Sequence, residues 1–362
     1  MIELPFHRER ADAKVATPLA YWELRTFDDL LDARSPSEFD EDHLPDAINV
    51  PVLDDEERAR VGTIYHQRSS FEAKRAGAAL VARNIATHIE ARFAAKPRNW
   101  KPLVYCWRGG GRSGALVHVL RQVGWDARRL DGGYKAFRRQ VVADLDNLPT
   151  RLTLHVVCGA TGSGKSRLLE ALVEAGAQVL DLEMLAAHRG SVLGELPQAP
   201  QPSQKRFETE LWTRMSQFDP ARPVYVESES KKVGNLRVPD ALIDRMRAAR
   251  CFRLETDTAA RVALLMQDYA HFVADPRALA SKLDLLRDLH GKERLAQWNA
   301  HLEAGRWEPL VGDLLESHYD PAYRRSLFRN YRDAQTATPL AVRDISRAAF
   351  LTLARALARD HG

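Results

Sequence analysis

The sequence predicts two parallel-sheet α/β domains in tandem, the second carrying a helical C-terminal extension. Three observations predict this. Over about the first 140 residues, short apolar runs alternate with helical patterns, as expected when each strand of a parallel sheet is followed by a crossover helix. After the polar, proline-marked stretch DLDNLPT, residues 144–150, the same alternation starts again. From about Asp257 onward the pattern is mainly helical. The expected domains are therefore residues 1–145 and 146–362, and a chain of 362 residues gives each an ample core.

In the first domain, FDDLLDARSP (27–36) reads as a strand that leaves through Asp-Ala-Arg into a turn and helix. HLPDAINVPV (43–52) is an extended, proline-edged segment, and residues 69–96 have an Ala-rich helical period. KPLVYCW (101–107) is a buried strand, followed by a glycine loop and the helix SGALVHVLRQVGW (113–125). DARRLDGGYKAFRRQV (126–141) supplies a last short strand, a Gly-Gly turn and a closing helix. In the second domain the strands are RLTLHVVCG (151–159), AQVLDLE (177–183), RPVYVESES (222–230) and ARCFRLET (249–256). KSRLLEALVEAG (165–176) is a helix ended by glycine, and the proline-rich LGELPQAPQPSQ (193–204) is a loop.

Composition narrows the function classes. Charged residues at 28% and hydrophobic residues at 45% are ordinary for a soluble globular protein. The net charge of +4 permits a nucleic-acid partner without demanding one. The three cysteines, Cys106, Cys158 and Cys251, form no CxxC pair, which excludes a disulfide framework or a cysteine-built zinc site. A reducing cytoplasm is the expected home. No apolar run is long enough to span a membrane, and the charged N-terminus MIELPFHRERADAK has no signal-like core.

Two loops carry the chemistry. In YCWRGGGRS (105–113), Gly109, Gly110 and Gly111 allow several backbone N–H groups to turn inward at the start of a helix, which makes an anion-holding nest. That field would favour the thiolate of Cys106, and Arg112 would close the cradle with a forked contact. The glycines and the arginine have no evident packing reason to be there. The loop thus reads as a reactive thiolate beside a small tetrahedral anion, and it requires a thiol that solvent can reach. Trp107 is either a packing residue or a wall of this pocket, and Arg108 either touches the anion or is only solvated. Cys158 and Cys251 read as small core residues.

GATGSGKS, residues 159–166, fits G-x-x-x-x-G-K-[ST] between a strand and a helix. Gly159, Thr161, Gly162, Ser163, Gly164, Lys165 and Ser166 are expected to wrap a diphosphate, with Ser166 available to a Mg²⁺ ion. Glu227 and Glu229 stand where such proteins place a metal-orienting acid, or are solvated strand-end charges. Asp181, Glu183, His188 and Arg189 follow the second strand and are candidates for an acceptor site. Lys231, Lys232 and Arg237, with Arg324, Arg325, Arg329 and Arg332, either contact phosphates or form a solvated face. Phe207, Leu211, Trp212 and Met215 lie on one helix and are either an apolar slot or ordinary core.

DARSPSEF, HLPDAINVP, YCWRGGGRSGA and LDGGYKAFR resemble the rhodanese domain over roughly residues 15–142, with a Cys-to-Arg spacing closer to its phosphatase-like members. Together with GATGSGKS, DLEMLAAHRGSVLG and VESESKKVGN, they make the chain resemble the bacterial tRNA 2-selenouridine synthase family. Met184 and Leu193 stand in DLEMLAAHRGSVLG where that family would show Gly and Phe. The resemblance implies a rhodanese-like domain followed by a P-loop, nucleotide-kinase-like domain. It implies conversion of wobble 2-thiouridine in tRNA to 2-selenouridine through an S-geranyl intermediate, with geranyl diphosphate and selenophosphate as substrates and no permanently bound cofactor. Cys106 would carry selenium as a perselenide. Two rival readings use the same loops: an ATP-dependent kinase or ATPase fused to a thiosulfate sulfurtransferase, and a non-enzymatic tRNA-binding module.

Overall fold

The computed structural model describes residues 14–15, 21–197 and 199–361. The chain divides into two units: one runs up to Asp144 and adds Ser203–Gln217, and the other comprises Leu145–Pro202 with Phe218 onward.

The first unit is built on five parallel strands: β1 (Lys14–Val15), β2 (Asp29–Asp32), β3 (Ala47–Asn49), β4 (Pro102–Tyr105) and β5 (Arg128–Leu130). Their order is β1-β5-β4-β2-β3. The central β4 is buried along its whole length, which is why its sequence is a continuous apolar run without alternation. Leu31, Val104, Leu116, Leu120, Ile85 and Trp100 pack into one core between sheet and helices. Ser203–Gln217 joins this unit as the helix Gln204–Ser216. Phe207, Leu211, Trp212 and Met215 are at most 2% exposed there, so of the two readings of this set the core reading holds. The Trp212 indole donates to Asp144 at 2.9 Å, and its ring packs edge-on to Phe137.

The DAR stretch has a structural purpose. Arg34 is 1% exposed and Asp32 fully buried, and their side chains pair at 2.6 Å. Arg34 also donates to the Asp42 carbonyl and lies over the Tyr134 ring, 4.0 Å from its centroid. Burial works against the charge on Arg34, and the Asp32 carboxylate more than restores it. Removing one partner would strand a buried charge, at a cost of roughly 3–5 kcal/mol.

The second unit has five parallel strands: β6 (Leu154–Cys158), β7 (Gln178–Leu180), β8 (Val224–Glu227), β11 (Arg250–Thr256) and β12 (Thr338–Val342), in the order β12-β11-β6-β8-β7. Two short strands, β9 (Lys232–Val233) and β10 (Leu236–Arg237), pair antiparallel as a hairpin. The expected mainly helical C-terminal region is helical, with one exception. β12 pairs with β11 along five residues, from Phe252 opposite Thr338 to Thr256 opposite Val342. It is an edge strand with a proline, only its last residue is buried, and its partner lies some 80 residues away, so no local pattern announces it. Cys158 and Cys251 are fully buried on β6 and β11, as core cysteines are. No helix among the described residues is long and apolar enough to cross a membrane.

Candidate functional sites

The central β4 delivers Cys106 to the carboxyl end of the first sheet, where the helix Gly111–Val123 begins. This is the edge at which open α/β sheets bind ligands. The loop is held by backbone contacts. Tyr134 N–H donates to the Cys106 carbonyl and Lys135 N–H to the Trp107 carbonyl, each at 2.9 Å. Gly109 has φ +63° and Gly133 φ +57°. A Cβ on Gly133 would lie 2.2 Å from the Cys106 carbonyl oxygen, and one on Gly109 would lie 2.7 Å from that of Leu130. Gly109 therefore has the packing reason that its sequence context hid: it meets the Gly-Gly turn backbone to backbone. Gly110 and Gly111 are different. Both are exposed and face open space, so a ligand can approach the backbone there. The Gly109 and Gly110 amides have no acceptor among the described residues.

Two expectations about this loop change. Arg112 is engaged by Glu38 through two hydrogen bonds, at 2.6 and 3.2 Å, and Arg58 reaches the same carboxylate at 3.0 Å. Partial burial pushes the Glu38 carboxyl up, but the Arg112 contact outweighs it and holds the group below its ordinary range. Any anion recruiting Arg112 competes with Glu38. Cys106 itself is 3% exposed, packed among Leu116, Val104 and Ala33, and its Sγ accepts from the Ser113 hydroxyl at 3.2 Å. The thiol is therefore covered in this conformation, not open as the sequence reading required. Trp107 is half-buried, its ring 5.3 Å from that of Tyr134, while Arg108 is exposed.

In the second unit, β6 runs into the loop Gly159–Gly164, and the helix Lys165–Glu174 follows. Gly162 and Gly164 have φ of +77° and +92°, and side chains there would strike Leu265 and Phe350. The loop is not folded shut: Ser163 N–H turns to the Ala160 carbonyl, but the Gly162 and Gly164 amides have no acceptor among the described residues. Lys165 Nζ rests on the Gly159 carbonyl at 2.9 Å. Arg261, which the sequence reading did not single out, buttresses the loop: it donates to the Thr161 carbonyl and forks onto Asp320 at 2.9 and 2.5 Å.

A cleft of about 570 Å³ lies over this loop. Thr161 to Ser166, Asp181, Glu183, His188, Arg189 and Glu229 all line it, so the structure brings together most of the second set of sequence candidates. Glu227 is 1% exposed and accepts from Glu183 N–H at 2.8 Å, which overturns the solvated reading for that residue. Its other oxygen, Oε2, has no partner among the described residues. Gly190 fits against Glu229 and Glu183: a Cβ would lie 2.8 and 3.0 Å from their oxygens. His188 Nδ1 accepts from Gly190 N–H at 3.0 Å, and burial keeps its pKa below the ordinary value, so the ring is neutral. Arg189 donates to the Asp268 carbonyl and lies over the Tyr269 ring. Lys231, Lys232 and Arg237 are exposed on the β9–β10 hairpin, with Lys231 paired to Asp240.

Three carboxyl groups at the cleft, Glu229, Asp181 and Glu227, hold their protons more tightly than an ordinary carboxyl does. Burial, then the charge of Glu183, pushes Glu229 up to about 8, against the pull of Lys165. Burial also raises Asp181 to about 6 and Glu227 well above the carboxylate range. At neutral pH Glu229 thus carries a proton beside Lys165, which suits an anionic guest. Above pH 8 Glu229 gains a negative charge near that guest. We expect the affinity for inorganic diphosphate to fall several-fold between pH 7 and 9, and Glu229→Gln to flatten the fall. Calorimetric titration of both proteins checks this; identical slopes would contradict it. Among the described residues no group of three or more His, Cys, Asp or Glu side chains is arranged to hold a metal ion.

A thiol loop on one parallel sheet and a Lys-bearing phosphate loop on another define a rhodanese-like unit joined to a P-loop unit. Comparison with known proteins agrees. The rhodanese-like domain model matches residues 17–140, and the tRNA 2-selenouridine synthase AAA domain model matches residues 152–339. The chain is 36% identical over 244 residues to the tRNA 2-selenouridine synthase of Nitrosomonas europaea, covering 66% of this chain and 63% of that protein. It is 36% identical to that of Shewanella halifaxensis, covering 67% and 66%, and 33% identical to that of Alcanivorax borkumensis, covering 83% and 90%. The chain therefore spans just under two thirds of the first two relatives and most of the third. It belongs to the tRNA 2-selenouridine synthase family.

Proposed function

We propose that this protein converts the wobble 2-thiouridine of tRNA to 2-selenouridine in two steps, using geranyl diphosphate and then selenophosphate. The observation that carries the reading is the cleft over the Lys165 loop. It offers unpaired loop amides and an ammonium for a diphosphate, and it adjoins a narrow, mostly apolar slot suited to a hydrocarbon tail.

In the first step the thiocarbonyl sulfur of the base attacks C1 of geranyl diphosphate. A C–S bond forms, the C1–O bond breaks, diphosphate leaves with the bonding pair, and the N3 proton is released to water. The Gly162 and Gly164 amides and the Lys165 ammonium would stabilise the charge that grows on diphosphate. In the second step the selenium of selenophosphate adds to C2, the C–S bond breaks, and geranylthiol departs with the electron pair and a proton. The Se–P bond is then cut, with phosphorus passing to Cys106 as an S–P bond and then to water. Selenium remains at the selenide level throughout. A perselenide on Cys106 would oxidise selenium by two electrons and leave phosphorus as phosphite; attack at phosphorus needs no such change, and it suits a Cys-to-Arg loop of this length. Because Cys106 is covered, the Gly110–Gly111 segment must shift to admit the anion, and the open space at both glycines permits that. tRNA binding would draw on exposed basic side chains, Lys231, Lys232 and Arg237 among them.

The test is mass spectrometry of wobble nucleosides after incubating the protein with thiolated tRNA, geranyl diphosphate and selenophosphate, each omitted in turn. Omitting selenophosphate should stop the reaction at the S-geranyl nucleoside, and omitting geranyl diphosphate should leave 2-thiouridine. Selenouridine formed without geranyl diphosphate would contradict the reading. So would vigorous ATP hydrolysis without tRNA, which favours the kinase alternative.

A further inference from the structure

The cleft over the phosphate loop continues into a narrow slot of about 60 Å³. Thr161, Ser191, Leu265, Tyr269 and Tyr319 border both, at the junction. Beyond them the walls are aliphatic and aromatic: Leu310, Val311 and Leu314 stand with Trp307 on one helix of the C-terminal extension, and Phe272 and Leu279 join them. The slot and the phosphate loop touch, because Leu265 is the side chain that a Cβ on Gly162 would meet at 2.8 Å. A base or ribose would lose its hydrogen bonds in such a space, whereas a hydrocarbon tail loses nothing. Size sets the tail. A cavity of this volume holds on the order of five methylene-sized groups, which is one isoprene unit.

We propose that this slot takes the distal isoprene unit of a prenyl diphosphate whose head sits on the Lys165 loop, and that Leu310, Val311 and Leu314 thereby determine chain length. This rests on the function proposed above. A five-carbon chain is too short to fill the slot and the span to it, a ten-carbon chain fills both, and a fifteen-carbon chain overruns the end.

The experiment offers the full chain thiolated tRNA with equal amounts of the five-, ten- and fifteen-carbon prenyl diphosphates in one tube, and reads the ratio of S-prenyl nucleosides. That ratio does not depend on how much enzyme is folded. The unaltered protein should favour ten carbons over five and over fifteen by more than about tenfold. Val311→Phe, which fills the slot, should lower the ten-to-five ratio. Leu314→Ala, which lengthens it, should raise the fifteen-to-ten ratio. Transfer without length preference in the unaltered protein, or ratios unchanged in both variants, would overturn the slot while leaving the proposed function standing. No transfer from any of the three by the unaltered protein would overturn the proposed function and the slot with it.

Discussion

Lys165→Ala should abolish formation of the S-geranyl nucleoside, lowering its rate by at least about 100-fold. Lys165 is the first residue of its helix, and its ammonium lies within 2.9 Å of the Gly159 carbonyl at the floor of the cleft. When a C1–O bond breaks, negative charge gathers on the diphosphate oxygens, and the ammonium stabilises that charge more than it stabilises the bound substrate. Such a contact acts on the rate and not only on binding. The alanine variant should therefore show its loss at saturating geranyl diphosphate as well as at low concentration. Its fold should survive, because the side chain is half-buried and the loop is held independently by Arg261, Thr256 and Tyr323. Nucleoside mass spectrometry at two substrate concentrations measures the effect; a loss confined to low concentration would assign Lys165 to ground-state binding.

Cys106→Ser should leave geranylation and the loss of geranylthiol intact and stop cleavage of the Se–P bond, so that the Se-phosphorylated nucleoside accumulates and selenouridine falls by about 1,000-fold or more. The substitution is close in size, and Ser113 can hydrogen-bond the new hydroxyl as it does the sulfur, so packing is kept. What is lost is the sulfur nucleophile, which a serine hydroxyl does not replace. A variant that makes selenouridine at the normal rate would remove Cys106 from the chemistry, and its burial would then be that of an ordinary core cysteine.

Both loops were legible in the sequence because their signals are local. A strand, a glycine-bearing turn and a helix start within about ten residues of each other, and the backbone geometry follows from those residue types. The Asp32–Arg34 pair could be located but not interpreted, since its burial depends on Tyr134, a hundred positions away. The same distance problem hid the partner of Arg112, because Glu38 lies on another helix, and it hid the reason for Gly109, whose neighbour is Gly133. The helix Gln204–Ser216 has an ordinary buried stripe, and nothing in that stripe says which unit it joins. β12 escaped because an edge strand is half-exposed and its ladder partner is remote. The apolar slot had no signature at all: its walls come from several helices, each of which reads as amphipathic by itself.

The division of labour between the two loops is the central claim, and one measurement addresses it directly. tRNA already carrying S-geranyl-2-thiouridine is given to the Lys165→Ala protein with selenophosphate and no geranyl diphosphate. Selenouridine should form at close to the rate of the unaltered protein, because the diphosphate loop has no part in the second step. Failure to form selenouridine from this ready-made intermediate, with the unaltered protein active in parallel, would contradict the account.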